Sequence, residues 1–126
     1  MKWFVVSLIS VIDASDPAQS EFPVFEDFFL FSSSSEEELQ VKIEKEKTLI
    51  NASGDCQFFG KAAKKRCLGA RKIRSIYNDE MGSPDASPPS NGTELTHSFM
   101  TVSSIADAEL LAMGKTVLVT YVDDDE

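Results

Sequence analysis

The chain predicts a small α+β protein with a partly disordered N-terminal half, and three observations lead there. Residues 57–77 carry apolar side chains at helical spacing beside a cluster of cations, which reads as one basic amphipathic helix. Residues 81–94 are rich in proline, glycine and serine and read as a linker. Residues 95–126 follow a strand, helix, strand order and close on an acidic tail. With 126 residues there is room for one small domain, and a hydrophobic content of 42% permits only a modest core.

Residues 1–20 divide into three zones. Lys2 gives a cationic start, residues 3–12 (WFVVSLISVI) are apolar, and residues 13–20 are polar and end in Ala18-Gln19-Ser20, the layout of a signal peptide. A run this short falls below the roughly 20 apolar residues that cross a bilayer, so it is a removable segment or a buried strand and not an anchor. Asp13 and Asp16 sit close to the run and count against export. Residues 21–31 (EFPVFEDFFLF) fit neither a period of 2 nor one of 3.6, and strand and helix stay open there. Residues 32–38 (SSSSEEE) are low in complexity and read as an exposed boundary.

Residues 39–50 send two messages. Ser35 with Glu38 has capping-box spacing and Glu38, Lys42 and Glu46 lie four apart, which favours a helix. Leu39, Val41 and Ile43 alternate with polar residues, which favours a strand, and the strand is preferred. Residues 21–50 together form an apolar, acidic segment of low order. In the helix expected within 51–80, Phe59, Ala62, Ala63, Cys67, Ala70, Ile73 and Tyr77 make the apolar stripe and Asp55 the N-cap. Gly60 and Gly69 each cost that helix about 1 kcal/mol relative to alanine. In the last third, residues 97–102 are β-prone, Ser104 with Asp107 opens a helix over 105–113, Gly114 closes it, and residues 115–122 carry the highest β propensity.

The net charge of −9 and pI near 4.5 argue against a specific nucleic-acid partner, which would need a basic face. Seven of the twelve cations nevertheless fall between 61 and 74: Lys61, Lys64, Lys65, Arg66, Arg71, Lys72 and Arg74. They read as a contact patch for an acidic protein or an anionic surface, as a processing site at Lys64-Lys65-Arg66, or as a face that docks on the chain's own acids at 36–38 or 123–126.

Cys56 and Cys67 are a candidate disulfide in an oxidising lumen. On a continuous helix they would stand about 16 Å apart, so bridge and helix exclude each other. Two thiols and a distant His97 fall short of a zinc site, and no cofactor motif is present. Cys67 lies among cations that would activate it as a nucleophile, but without a positioned base. Asn51 and Asn91 head N-glycosylation sequons, and Ser33, Ser34 and Ser35 precede acids as phosphorylation sites do. No segment besides the short leader suggests a membrane anchor.

The resulting expectation is a non-catalytic, acidic protein of the secretory route or extracellular space, acting through its basic helix. The alternative is a cytoplasmic interaction protein in which residues 3–12 form a buried strand. A third reading is a weakly selected open reading frame without a defined activity, because the local signals of the first half disagree.

Overall fold

Val5, Val6, Leu8 and Ile12 place apolar side chains on both faces of one extended segment, the composition of a strand covered on both sides. The computed structural model makes this segment β1 (Lys2–Asp13) and describes residues 2–76, 89 and 91–122. The chain divides into two units, Met1–Leu95 and Thr96–Glu126.

In the first unit, β1 is followed by β2 (Val24–Ser33), α1 (Glu36–Ala52), β3 (Asp55–Phe58) and β4 (Lys61–Ile76). The strands form one antiparallel sheet in the order β2-β1-β4-β3. Val6 pairs with Phe29 on one side and Ile73 on the other, and Leu8 pairs with Asp27 and Ala70. Even-numbered β1 residues face α1. Val6, Leu8, Cys67, Leu39 and Ile43 make the core there, with Phe4, Phe29, Phe31 and Ile50 packed around it.

Two register shifts on β4, between the partners of Ser7 and Leu8 and between those of Ile9 and Ser10, are β-bulges. Each bulge bends the strand, and the sheet is curled accordingly. Gly69 lies at one of them with φ 152°, a conformation open to glycine. At the other, the backbone N–H of Lys72 donates to the buried Ser7 hydroxyl at 3.1 Å. The β3–β4 connection is the pair Phe59-Gly60, both at positive φ (50° and 77°), as a two-residue type I′ turn requires.

Residues 36–52 are a helix, not the strand expected over 39–50. Ser35 is the N-cap and its hydroxyl accepts from the Glu38 N–H at 3.1 Å. Glu38 pairs with Lys42 at 3.2 Å one turn on. Leu39 and Ile43, four apart, are buried, whereas Val41, which a strand would have buried beside them, is 68% exposed. The local bonds and the burial agree on the helix.

The fold class is therefore corrected. Strands make up 44% of the described residues, in a curled four-stranded sheet accompanied by two helices, in place of a partly disordered α+β chain. Among the described residues no basic amphipathic helix exists at 57–76, and Tyr77 lies outside them. That stretch is the β3–β4 hairpin, with Lys61 opposite Phe58 and Lys64 opposite Asp55. Residues 21–50, expected to be of low order, contain the strand β2 and all but the last two residues of the helix α1.

The second unit contains β5 (Phe99–Thr101), α2 (Ile105–Ala112) and β6 (Thr120–Val122). Ser104 caps α2 by accepting from the Asp107 N–H at 3.1 Å, and Gly114 follows the helix at φ 77°. Of the strand expected over 115–122, only Thr120–Val122 pairs, and it runs antiparallel to β5. A parallel crossover unit is thereby excluded. Most of the expected linker (residues 81–88 and 90) and the acidic tail at 123–126 lie outside the described residues.

Candidate interaction surface

The basic residues of β4 are distributed by strand alternation, and acids of neighbouring elements meet them. Lys61 bonds Asp16 in the β1–β2 connection, and Lys64 pairs with Asp55 across the hairpin at 3.5 Å. Lys65 reaches across β1 to Asp27 of β2 at 3.0 Å and lies 4.8 Å from the centre of the Phe25 ring. On the opposite face Arg66 pairs with Asp13 at 3.0 Å and Arg71 with Glu26 at 3.2 Å. Lys72 sits opposite Ser7, and Arg74 is buried opposite Val5; neither is without a partner. The cluster thus meets acids of its own chain, at Asp13, Asp16, Glu26, Asp27 and Asp55. Those at 36–38 and 123–126 were the ones the sequence suggested.

Pairing Asp27 and Glu26 with cations two strands away leaves β2 an edge strand without an unbalanced charge. Its sequence, VFEDFFLFSS, holds neither lysine nor proline, the residues that usually blunt such an edge. Val24, Phe28 and Leu30 are exposed on the face away from α1, at 58%, 51% and 50%. Phe25 is 46% exposed on the α1 face, while Phe29 and Phe31 stack there at 6.3 Å against the core. The Ile12 N–H donates to the Pro23 carbonyl at 2.9 Å, which fixes the ladder phase. Odd-numbered β2 residues turn their backbone groups to β1, and Val24, Glu26, Phe28, Leu30 and Ser32 turn theirs outward. Lys42 of α1 donates to the outward Ser32 carbonyl and closes one end of this edge.

Cys56 and Cys67 are both free thiols. Cys56 pairs with Ala63, so four residues of strand, about 13 Å, separate it from Cys67, and this register holds no bridge between them. Cys67 is 5% exposed under α1, a packing position. Its N–H donates to Asn51 Oδ1 at 2.9 Å, so the first sequon asparagine ties the end of α1 to β4. Sequence reasoning missed this role, since the contact spans 16 positions along the chain. Asn91 lies exposed in a turn and His97 is exposed ahead of β5.

Of the serines, Ser33 is buried and donates to the Ser35 carbonyl at 2.7 Å, Ser34 donates to Glu38, and Ser35 caps α1. They form the β2–α1 junction and not a free spacer. The bonds from the Ser34 hydroxyl and N–H, followed by Lys42, hold the Glu38 carboxyl down at about 2. Asp16 is likewise lowered, by Lys61 first and the Ala18 N–H second.

Among the described residues no three histidine, cysteine or acidic side chains gather as a metal site would need, and no helix is long and apolar enough to cross a membrane. No family model, no curated protein and no solved structure matches the chain.

Proposed function

We propose that the chain is a non-catalytic interaction protein acting inside the cell, which keeps residues 2–13 as the centre of its sheet and meets its partners through the free edge of β2. The observation that carries this reading is the edge itself. A ten-residue strand with no lysine or proline of its own exposes Val24, Phe28 and Leu30, and both of its acids are already balanced by Lys65 and Arg71. Strand addition to such an edge draws affinity from main-chain hydrogen bonds and selectivity from alternate side chains. The retained N-terminal segment is supported by β1, which pairs along both sides and contributes Val6 and Leu8 to the core.

Two measurements test the reading. The intact mass of the protein isolated from its own cells is expected to include residues 1–20, and a product beginning after residue 20 overturns it. A photo-crosslinking phenylalanine analogue placed at Phe28 is expected to give protein adducts in cells, while the same analogue at Leu68 gives none. Equal labelling at both positions, or adducts at neither, refutes the edge as the binding surface.

A further inference from the structure

We infer that the occupant of the β2 edge is the β2 edge of a second copy, paired antiparallel about a twofold axis at Phe29, so that two four-stranded sheets become one of eight. This inference rests on the edge reading above and specifies its partner.

Directly opposed residues of an antiparallel pair point to the same side of the sheet, so β2 can meet itself only in registers whose paired numbers add to an even sum. The axis at Phe29 is the register in which the exposed apolar residues answer one another. Phe28 of each copy then stands opposite Leu30 of the other, on the face away from α1, and these two are half exposed in the single chain (51% and 50%). The outward N–H and C=O groups of β2 belong to the same even-numbered residues, so this pairing also joins the free donors and acceptors.

The charges agree. No acid faces an acid: Asp27 stands opposite Phe31 of the other copy, and Glu26 opposite its Ser32. At the rim of the edge the Ser32 carbonyl already holds the Lys42 ammonium, so the backbone bonds of the pair centre on Phe28 and Leu30. Both acids are balanced within their own chain before the copies meet, by Lys65 at 3.0 Å and Arg71 at 3.2 Å, which removes the repulsion that two acidic strands would otherwise feel. An isologous contact of this kind closes on itself, and among the described residues the edges it leaves are β3 and the part of β4 beyond its pairing with β3.

Sedimentation of the purified full chain tests the pairing. At concentrations on the order of 10 µM the expected mass is twice the 13.9 kDa of one chain, and a 13.9 kDa species throughout overturns the inference. Phe28→Lys and Leu30→Glu each place a charge at an exposed site and should each give the single-chain mass, with circular dichroism unchanged. Leu68→Lys, at the exposed bulge of β4, should remain a dimer, and its dissociation in place of the edge variants assigns the contact elsewhere.

The register has its own test. Phe28→Lys and Leu30→Glu chains, each monomeric alone, should dimerise when mixed one to one, because one lysine–glutamate pair and one unaltered Phe28–Leu30 pair are then formed. Failure of the mixture to dimerise rejects the axis at Phe29. A monomeric chain that still gives adducts with other proteins at Phe28 would sink the self-pairing and leave the edge reading standing.

Discussion

Gly54 carries more of the first unit than its size suggests. A methyl group there would meet the Lys65 carbonyl oxygen at 2.3 Å, and that carbonyl is part of the backbone, which cannot swing aside. The same contact includes the Lys65 N–H donating to the Gly54 carbonyl at 2.8 Å, so α1 and β4 are joined by a close crossing of main chains. Gly54→Ala is expected to cost about 1–3 kcal/mol, read as a lower midpoint in urea at unchanged slope.

Phe59 presents the reverse case. It stands at φ 50° and is 86% exposed, a bulky residue in a conformation that asparagine tolerates better. Phe59→Asn is expected to stabilise by about 1 kcal/mol, a rise in Tm of roughly 4–8 °C for a domain of this size. Loss of the ring contact between Phe58 and Phe59, at 4.5 Å, sets the upper limit on that gain. Asn51→Ala should cost about 1–3 kcal/mol by stranding the Cys67 N–H, and Asn51→Asp, which keeps the acceptor, should recover most of it in the same urea titration. None of the three roles was visible in the sequence, because each depends on a neighbour in space or on a dihedral angle.

At the scale of elements, what could be read and what could not separate by range. Ser35 with Glu38 and Ser104 with Asp107 are bonds between residues three apart, and both caps are legible in the sequence. The β4 strand is not, and its bulges explain why. Its residues facing α1 are Ala63, Lys65, Cys67, Ala70, Ile73 and Ser75, as their β1 and β3 partners show. One extra residue at each bulge turns a spacing of two into three, first from Cys67 to Ala70 and then from Ala70 to Ile73. A bulged strand thus imitates the three-and-four spacing of a helix. The aromatic run of β2 lacks a period for a different reason. Phe25, Phe29 and Phe31 face α1 while Val24, Phe28 and Leu30 face the other way, so both faces are apolar. The candidate surface was legible as an unusual concentration of aromatics, but not as an edge, since strand order is set by β1 pairing with β4 more than fifty residues away.

The α1 terminus also gives a pH dependence. The Glu38 carboxyl is held at about 2 against an ordinary 4.5, so its contribution is complete above about pH 4.5 and is lost as the pH falls through about 2. A plot of Tm between pH 5 and 2 is expected to fall more steeply for the native chain than for Glu38→Gln, and identical slopes would refute the assignment. The lowered Asp16 acts in the same direction and over the lower part of the same window, so Asp16→Asn should flatten the curve further.

Across the whole first unit, stability rests on a small core shared by β1, β4 and α1. Leu8, fully buried at its centre, is the residue whose truncation should matter most. Leu8→Ala is expected to cost about 2–5 kcal/mol, enough to unfold much of a domain with only several kcal/mol in hand. Removal of residues 1–13 takes away the strand between β2 and β4 and should abolish cooperative melting altogether.

The central place of β1 also sets a timetable. The ribosome delivers this greasy decapeptide long before residues 61–76, its partner on one side, and at about 5–20 residues per second the wait lasts several seconds. Throughout that interval the strand has at most β2 and α1 to shelter it. Chaperones and targeting factors that sample nascent apolar segments therefore meet the most buried part of the finished protein while it is still bare.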